Sequence, residues 1–412
     1  MEPSAAPVYI IGAGISGLVA AKTLEERGYA PVILESAATP GGRVQTDAEK
    51  GVLFDRGFQV LLTAYPQAVK HLNFDTLNLR RFRPGALIFS GGKPERIGDP
   101  LRDLSSLLPT LTAQVGSLGD KWKIFRLSGR LKKKSIQEIF STPEQTTLEY
   151  LRSYGFSDAL IKTFFKPFFG GIFLEDALQT SSRMFEFTFK MFSEGYAALP
   201  ASGIGAISKQ LADGLQKTAL TYGQQVQQVR SGSVVFNGGE ERPSRATLIT
   251  VPFDPGTGML QGSGVSWERC DNLYFSVAKP TFEEGIIALV ADPDALENNL
   301  HFPFGQQMEG HPVLSVTVVK KHSLEQRELI QKVREDLERC CGIQTQSFLK
   351  HYSIDKALPR RTDLKMELDR PESANFENVF VAGDYLLNGS LNAAMASGEV
   401  AAHALANALE QA

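Results

Sequence analysis

The sequence predicts an α/β fold, and three observations support this prediction. The first is an apolar run of strand length, Val8–Ile11, which leads through a glycine-rich turn into a helical segment. The second is a further apolar run, Val32–Leu34, which ends in the acid Glu35. The third lies near the other end of the chain, where a hydrophobic strand within Asn378–Asp384 ends in Gly-Asp before another helical segment. Buried apolar strands joined by helices are typical of a parallel α/β sheet.

The turn after the first strand carries a G-x-G-x-x-G pattern: Gly12, Gly14 and Gly17. One glycine of this pattern permits the tight turn, one lets the backbone approach a pyrophosphate, and one lets the helix pack closely. The helix begins with Ile15 and Ser16, so the phosphates would face its N–H groups and its positive end. Glu35 follows the glycines by about 20 residues, the spacing at which an acid binds a ribose. The unit therefore predicts a Rossmann-like dinucleotide-binding lobe.

Three residues shortly after the second strand narrow the choice of cofactor: Gly41, Gly42 and Arg43. On chemistry alone they are either an ordinary surface turn or a phosphate contact, because an arginine offers a forked donor to phosphate oxygens. With Glu35 just before them, they resemble the corresponding segment of the FAD-dependent amine oxidase, protoporphyrinogen oxidase and phytoene desaturase superfamily. This resemblance implies FAD rather than NAD as the cofactor.

The C-terminal segment resembles the closing FAD motif of the same superfamily. A strand ends in Gly383 and Asp384, and a helix begins near Leu391, Asn392 and Ala393. An acid in this position binds sugar or ribityl hydroxyls, and the N–H groups of the next helix stabilise negative charge on the reduced flavin. A helix that simply begins after a loop is the plain alternative. If both end segments bind one FAD, they must meet in space, and an NAD-only dehydrogenase has no place for the second one.

Further FAD contacts are implied by the same resemblance. After a predicted hairpin over 44–53, an acid-x-Gly segment would place Gly57 and Phe58 near the flavin ring, although a β-turn in a second sheet is the alternative. Val226 lies in a predicted edge strand over 225–229 and would contact the adenine through its backbone, unless it only packs. Ser36 follows Glu35 and Val44 follows Arg43, and both are also predicted to bind FAD.

Length and composition agree with a protein of more than one lobe. The chain has 412 residues, of which 42% are hydrophobic and 22% are charged, so a sizeable core can form. We predict a discontinuous FAD-binding domain over 1–80, 195–255 and 355–412. An interleaved α+β substrate domain, with a mixed antiparallel sheet and helices, is predicted over 81–194 and 256–354. The formal net charge of -3 argues against a nucleic-acid partner, although local basic patches remain compatible with it.

Cysteine content and the N-terminal segment bear on the compartment. Three cysteines without a C-x-x-C pair are too few for a disulfide framework and fit a reducing environment. The first residues lack a basic region, and the apolar stretch after them is broken by glycines, so no signal peptide is predicted. No run reaches about 18 apolar residues, the length of a membrane span. We expect a cytoplasmic or organelle-stromal protein that is not secreted.

The segment Lys121–Lys134 is predicted to be a basic helix within a helical region over 101–140 that breaks at Pro109 and near 116–119. Its apolar residues combine helical spacing with two aromatic side chains: Ile124, Leu127, Leu131, Trp122 and Phe125. This pattern is typical of peripheral membrane contact and equally of a solvated surface helix. Several members of the superfamily take lipid-soluble substrates from membranes, so membrane contact is retained as one of the two alternatives for this segment.

The predicted substrate lobe is rich in phenylalanine, in two groups: Phe164, Phe165, Phe168, Phe169 and Phe173, and then Phe185, Phe187, Phe189 and Phe192. Helical spacing predicts that most of them form core and that the remainder line an apolar pocket. The stretch 165–173 resembles the substrate-lobe segment of the superfamily, which implies a large hydrophobic substrate.

Capping and periodicity predict further elements. A capping box at Thr146 and Glu149 predicts a helix over 147–154, and another helix is expected from Ser157 to near Pro167. The remaining predicted elements are helices over 207–216 and 323–338 and strands over 247–253, 272–278 and 313–319. In the helix over 323–338, four residues are expected to face inward: Leu324, Ile330, Val333 and Leu337.

The predicted activity is that of an FAD-dependent oxidoreductase of the oxidase or desaturase type. In the superfamily that the chain resembles, a hydride passes from a substrate carbon to flavin N5, while the protein supplies orientation and electrostatics. The expected substrate is porphyrinogen-like or polyene-like. Amine oxidation is the alternative, although the neighbours of Lys279 do not match those of the flavin-facing lysine of amine oxidases.

An alternative of another class is a non-catalytic protein of the Rab GDP-dissociation-inhibitor type, which resembles this fold without using FAD. The intact glycine pattern, Glu35 and Gly42-Arg43 argue against it. The six histidines show neither metal-ligand nor triad spacing, so no metal is predicted. The sequence identifies no catalytic residue and no oligomeric state.

Overall fold

The computed structural model describes residues 6–91, 93–98, 115–260, 264–373 and 375–411. The first lobe is built on a five-stranded parallel sheet, here called the nucleotide sheet. Its strands in spatial order are Ala219–Thr221, Val32–Leu34, Val8–Ile11, Ala246–Ile249 and Val379–Val381. Because these strands come from both ends and the middle of the chain, their carboxyl ends bring distant segments to one edge.

Helices and a small sheet cover the two faces of the nucleotide sheet. The first helix, Ile15–Glu26, packs on the last helix, Leu391–Gln411. This contact requires Gly398, because a Cβ atom there would lie 2.2 Å from the carbonyl oxygen of Ser16. The other face forms an apolar core with a three-stranded antiparallel sheet of Val226–Arg230, Ser233–Phe236 and Glu241–Pro243.

The second lobe is built on an eight-stranded mixed sheet, here called the large sheet. Its strands run in the spatial order Thr345–Pro359, Trp267–Val277, His311–Val318, Glu297–His301, Ala288–Val290, Gly85–Ser90 and Lys93–Gly98, with Gln307–Met308 paired to His311–Val318. The pairing is antiparallel except between Ala288–Val290 and Gly85–Ser90. The helix Gln326–Cys341 covers one face of this sheet, and a separate apolar core fills the contact.

A group of helices completes the second lobe: Leu118–Lys133, Ile136–Phe140, Thr147–Ser153, Asp158–Leu160, Lys166–Phe173 and Ser182–Glu194. Short elements complete the first lobe and the connections between the lobes: the hairpin of Thr46–Glu49 and Val52–Asp55, the small sheet of Leu61–Leu62, Ala197–Pro200 and Leu79–Arg81, and the helices Pro66–His71, Phe74–Leu77, Ala206–Asp213 and Asp384–Leu386. These elements confirm the predicted α/β class with an interleaved second lobe. Strand Thr345–Pro359 of the large sheet extends past the predicted domain boundary at 354.

Local sequence signals placed several elements correctly. The capping box of Thr146 and Glu149 is present and begins the helix Thr147–Ser153. The hairpin expected over 44–53 is formed by Thr46–Glu49 and Val52–Asp55. The break expected at Pro109 lies outside the described residues.

The helix expected from Ser157 to near Pro167 does not end there. The helical path continues from Asp158–Leu160 through a π-helical turn, Ile161–Phe165, into Lys166–Phe173. Pro167 lies directly after the π-helical turn inside this continuous path, so the regular hydrogen-bond pattern is already interrupted next to the residue that lacks an N–H.

The helix expected over 323–338 is displaced toward the C-terminus and runs over Gln326–Cys341. It ends at Gly342, whose left-handed backbone suits a glycine. Val333 and Leu337 are buried as predicted, but Leu324 precedes the helix and is exposed, so its inward placement was wrong.

Candidate functional site

A cavity of about 1740 Å³ lies between the two lobes, and residues of both lobes line it. Ligand sites of single small molecules usually have volumes of about 300–1,000 Å³. The cavity extends from the glycine-rich turn after the first strand to side chains of the large sheet and of the helix Ser182–Glu194. It is therefore large enough for a cofactor together with a substrate.

The three glycines of the first turn have separate structural roles. Gly12 has a left-handed φ of 100°, which forms the turn. A Cβ atom on Gly17 would lie 2.1 Å from the Gly12 carbonyl oxygen, so this glycine permits close packing of helix and strand. Gly14 lines the cavity, and a Cβ atom there would meet no atom within 4 Å. Among the described residues, no side chain caps the helix N-terminus at Gly14, so a ligand phosphate can approach its backbone.

Glu35 lies at the carboxyl end of strand Val32–Leu34, where the first strand and its turn place two backbone donors beside it. Its Oε2 atom accepts the N–H of Ala13 at 2.7 Å, and its Oε1 atom accepts the N–H of Ala37 at 2.8 Å. The side chain is buried but still borders the cavity. Each carboxylate oxygen has further acceptor capacity, so Glu35 can bind the hydroxyls of a ribose.

Arg43 and Asp384 meet at the cavity wall. The Arg43 Nη2 atom lies 2.5 Å from Oδ1 of Asp384, and its Nη1 donates to the carbonyl oxygen of Ala357 at 3.2 Å. The guanidinium also lies over the ring of Trp267 at 5.2 Å. Asp384 is buried, whereas 38% of the Arg43 side chain is exposed. The arginine is thus held in place while keeping donors available to an anionic ligand.

The segment between Glu35 and Arg43 is tied to the glycine turn through its backbone. Gly41 donates its N–H to the carbonyl oxygen of Ala13 at 2.8 Å, and Gly41 and Gly42 both have left-handed φ values, 125° and 58°. The carbonyl oxygen of Val44 accepts the hydroxyl of Ser208 at 2.6 Å. These residues fit a dinucleotide, since open backbone, an arginine and an acid all border the same cavity as Gly14.

Gly57 and Phe58 also line the cavity, at the exit of the hairpin. Gly57 has a left-handed φ of 88°. Phe58 stacks on the imidazole of His301, with ring centroids 4.1 Å apart. Burial lowers the pKa of His301 from 6.5 to about 3, so the ring is neutral at physiological pH. His301 had no assigned role, because its position beside Phe58 depends on sheet packing rather than on any sequence spacing.

The carboxyl group of Asp55 fixes the base of this hairpin. Its Oδ1 accepts the hydroxyl of Thr46 at 2.6 Å and the N–H of Ile204 at 2.9 Å. Burial raises the pKa of Asp55, while these two hydrogen bonds oppose the rise. Asp55 therefore connects the hairpin to the turn before helix Ala206–Asp213, which positions Gly57 and Phe58.

Most of the predicted FAD-binding residues border this one cavity: Gly12, Gly14, Ile15, Ser16, Glu35, Ser36, Gly41, Gly42, Arg43, Val44, Gly57, Phe58, Asp384 and Leu391. Five do not border it: Gly17, Val226, Gly383, Asn392 and Ala393. Val226 is buried in the core under the three-stranded sheet. Asn392 is fully buried and accepts the Gln67 N–H at 3.1 Å, and the Ala393 N–H donates to Ser390 Oγ at 3.0 Å. Contacts of all nineteen residues with FAD stay predictions, and the structure shows only which of them border the cavity.

Sequence reasoning missed the loop before the last helix, which borders the cavity through Asn388, Gly389 and Ser390, and it missed Ala394 in the first turn of that helix. Within the loop, Ser390 Oγ donates to Asn388 Oδ1 at 2.7 Å, so the two side chains support each other. No motif in the sequence distinguishes these small polar residues from an ordinary loop.

The wall beyond Phe58 is largely apolar. The phenylalanines divide as expected: Phe165, Phe169, Phe185 and Phe187 are buried in the core, Phe168 and Phe192 border the cavity, and Phe173 belongs to the core and also borders the cavity. Phe168 and Phe192 pack together with ring centroids 5.3 Å apart. Cys270 also borders the cavity, and burial raises the pKa of its thiol to about 12, so it is not a ready nucleophile. Among the described residues, no group of His, Cys, Asp and Glu side chains could hold a metal ion.

Comparison with known proteins places this geometry in a family. The family model for flavin-containing amine oxidoreductases matches residues 15–406. The chain belongs to this family. The family is one of flavin-containing oxidoreductases, so the match supports FAD as the cofactor and favours an oxidoreductase over the non-catalytic alternative.

Curated relatives include a chloroplastic/mitochondrial protoporphyrinogen oxidase 2 of Arabidopsis thaliana, 27% identical over 40% of this chain and 32% of the relative. A chloroplastic prolycopene isomerase of the same plant is 27% identical over 72% of this chain and 58% of the relative. The chain thus spans less than two thirds of the length of either relative. Among solved structures, cyclohexylamine oxidase from Brevibacterium oxydans has a TM-score of 0.67 at 16% identity, with 98% of this chain and 99% of that chain covered, and it shares the fold.

Proposed function

We propose that this enzyme takes a hydride from a large hydrophobic substrate, either porphyrinogen-like or polyene-like. The observation that carries the proposal is the continuity of the cavity, which runs from the glycine turn to the apolar wall around Phe168 and Phe192. A substrate in the apolar part would lie beside a cofactor held by the nucleotide lobe. The names of the protoporphyrinogen oxidase and prolycopene isomerase relatives support these two substrate classes.

The residues of the nucleotide lobe would hold the cofactor in this enzyme. Glu35 would bind the ribose, while the backbone at Gly14 and the guanidinium of Arg43 would bind the pyrophosphate. Asp384 would hold Arg43 and accept a hydroxyl of the ribityl chain. When bound, FAD supplies the hydride acceptor. The apolar wall would orient the substrate by shape and keep water from the reacting carbon.

Amine oxidation is the second candidate, and the structural similarity to cyclohexylamine oxidase favours it. Two acids at the cavity wall, Glu175 and Asp176, could attract a cationic amine. The Glu175 carboxylate is already bonded to the N–H groups of Ala177 and Thr180, at 2.8 and 3.1 Å. These two bonds leave each carboxylate oxygen with further acceptor capacity. We rank this candidate second because the neighbours of Lys279 do not match those of the flavin-facing lysine of amine oxidases.

Anaerobic reduction of the bound flavin by substrate tests both candidates. Holoenzyme is mixed, without oxygen, with a porphyrinogen, a polyene or a primary amine, and flavin absorbance is followed by stopped flow. Bleaching by a porphyrinogen or a polyene, but not by amines, is the expected result. Bleaching by amines alone would contradict the proposal in favour of amine oxidation. The fold of the protein is checked in parallel by the unchanged spectrum of the oxidised flavin.

We also propose that the helix Leu118–Lys133 contacts anionic membranes at their surface. Three large apolar side chains on this helix are exposed at helical spacing: Leu118, Trp122 and Phe125, at 69%, 58% and 56%. Arg126 lies over the Trp122 ring at 5.2 Å, and Lys132 and Lys133 are exposed, so basic groups flank the apolar face. Such a combination suits the interface of an anionic bilayer. No helix among the described residues has the length and apolarity that crossing a bilayer requires.

A further inference from the structure

The guanidinium of Arg43 is contacted from both lobes. From the nucleotide lobe, Oδ1 of Asp384 lies 2.5 Å from its Nη2. From the large sheet, the carbonyl oxygen of Ala357 accepts its Nη1 at 3.2 Å, and the ring of Trp267 lies 5.2 Å from the guanidinium carbon. All four residues border the cavity. The arginine proposed to bind the pyrophosphate is thus held on three sides, and two of these contacts come from the second lobe.

The sheet register explains how Trp267 and Ala357 reach the same place. Trp267 is the first residue of its strand and pairs with Pro359, the last residue of the neighbouring strand. The neighbouring strand bulges just before this pair, over residues 355–357. A bulge interrupts the ladder of hydrogen bonds and can redirect a backbone group. Inside this bulge, the carbonyl of Ala357 accepts its bond from Arg43, outside the sheet.

The backbone on either side of Trp267 is fixed by a single residue. The N–H of Arg360 donates to the carbonyl oxygen of Ser266 at 2.8 Å. The Nε of Arg360 donates to Oε1 of Glu268, a buried side chain, at 2.6 Å. Trp267 is itself only half-buried, so part of its ring remains open at the cavity. The indole is therefore carried on an anchored stretch of strand.

An indole over a guanidinium orients it without using its hydrogen-bond donors. The attraction is between the cation and the face of the ring, and the planar guanidinium stacks well on an aromatic surface. Asp384 and Ala357 occupy one terminal nitrogen each, and arginine has further N–H donors for an anion. Arginine otherwise loses considerable rotamer freedom when it binds a phosphate. A ring that fixes the plane of Arg43 beforehand reduces that loss.

We infer that Trp267 is a positioning residue of the cofactor site, which acts on the pyrophosphate through Arg43. The inference rests on the proposed placement of the pyrophosphate at Arg43 and extends it, because the site is then complete only with the second lobe. Trp267 lies in the segment 256–354, for which the sequence indicated a substrate domain alone. A tryptophan that only packs between the lobes would have no specific effect through Arg43.

Affinity for FAD separates these two roles. Trp267→Leu keeps an apolar side chain but removes the ring, so FAD should bind the apoprotein about threefold to tenfold more weakly. Trp267→Phe keeps an aromatic face and should restore most of the affinity. In the background of Arg43→Ala, Trp267→Leu should have no further effect. Trp122→Leu is the matched control, since it removes the other tryptophan, on the helix Leu118–Lys133, and should leave FAD affinity unchanged.

Tryptophan fluorescence gives a second readout that does not depend on Trp267→Leu. The chain has two tryptophans, so Trp122→Phe leaves Trp267 as the only one. ADP-ribose carries the pyrophosphate but has no flavin to absorb the emission. Its binding, verified by calorimetry, should change the emission of Trp122→Phe and leave that of Trp267→Phe unchanged.

Three results would each overturn the inference. They are wild-type FAD affinity in Trp267→Leu, an equal loss of affinity with and without Arg43, and unchanged emission of Trp122→Phe with ADP-ribose bound. If Trp267→Leu does not fold, the fluorescence of Trp122→Phe decides. Undiminished FAD binding by Arg43→Ala would instead contradict the placement of the pyrophosphate at this arginine, on which the inference depends.

Discussion

Arg43 and Asp384, 341 positions apart in the chain, form a direct ion pair at the cavity wall. Each residue belongs to one of the two end motifs, so their contact shows that the segments predicted to bind one cofactor do meet. The strand Val379–Val381 is next to Ala246–Ile249, which is next to the first strand, and this order brings Asp384 to the same sheet edge as the glycine turn.

The ion pair gives the first prediction. Arg43→Ala should weaken FAD binding more than Asp384→Ala does, because the arginine carries the donors for phosphate and the aspartate mainly holds it. Affinities are measured by quenching of FAD fluorescence on titration with apoprotein. A double-mutant cycle should give a coupling of about 0.5–2 kcal/mol in that affinity. Additive effects of the two changes would show that Asp384 does not position Arg43.

Gly14 provides a variant that should lose the cofactor but keep the fold. Its φ of -72° is open to any residue, and a Cβ atom there would meet no protein atom within 4 Å. Gly14→Val should therefore leave the far-UV circular dichroism of the apoprotein unchanged while reducing FAD affinity at least about tenfold, because the side chain occupies the place of a phosphate. Gly129→Ala is the control, since it also meets nothing within 4 Å but lies on the helix Leu118–Lys133. Undiminished FAD binding by Gly14→Val would place the phosphates elsewhere.

Glu35 should contribute to both cofactor binding and local structure. Glu35→Ala removes the acceptor of the Ala13 and Ala37 N–H groups as well as the ribose contact, so FAD affinity should fall by about 10- to 100-fold. Glu35→Gln keeps one oxygen acceptor and should lose less. Isothermal titration of the apoproteins with FAD checks this order. If both variants bind FAD as wild type does, Glu35 is only a structural residue.

Glu297 predicts a pH dependence of stability. Neither carboxyl oxygen has a hydrogen-bond partner among the described residues, and burial raises the pKa of Glu297 from 4.5 to about 8. Between these two values the folded state retains a proton that the unfolded state has lost. The contribution of Glu297 to stability therefore falls as pH rises through this window, by up to about 1.4 kcal/mol per pH unit.

The test of this effect is urea unfolding of wild type and Glu297→Gln at pH 5, 6.5 and 8. The free energy of unfolding of the variant should increase relative to that of wild type as pH rises, because the variant has no carboxyl group to ionise at this position. The exposed Glu335→Gln serves as the control and should show no such trend. A constant difference between Glu297→Gln and wild type would mean that Glu297 is already ionised in the folded protein.

The proposed membrane contact depends on the exposed aromatic residues of helix Leu118–Lys133. The double variant Trp122→Ser, Phe125→Ser should reduce sedimentation with phosphatidylserine-containing vesicles about tenfold, because the apolar surface that enters the interface is lost. Val69→Ser, which removes another side chain exposed at 61%, should have no effect. Equal sedimentation of all three proteins would exclude this helix as the contact.

The same helix shows where sequence reasoning reached its limit. Lys134 and Arg130 belong to the predicted basic face, but both pair with Glu186, which is buried, at 2.6 and 3.0 Å. The structure thus assigns these two cations to packing against helix Ser182–Glu194 and leaves the aromatic face exposed. Composition and spacing could identify a basic helix, but which charges face a buried acid depends on how two helices pack.

In the candidate site, too, local features were predictable from the sequence, whereas features that depend on packing were not. The end motifs were predictable because backbone geometry at Gly14 and the acid Glu35 are local requirements of dinucleotide binding. The stacking of His301 on Phe58 was not predictable, since it follows from strand register and lobe packing. The helical path over 158–173 was misjudged at Pro167 because a proline accommodated next to a π-helical turn and a proline that ends a helix look alike in sequence.

The most direct test of the account is the flavin content of the protein. Apoprotein is incubated with FAD, freed of excess ligand, denatured, and the released flavin is quantified against protein concentration, with Gly14→Val treated identically. The account predicts one FAD for each wild-type chain and little for the variant. Folded wild-type protein that retains no FAD, or equal retention by the variant, would contradict the claim that the two ends of the chain form its binding site.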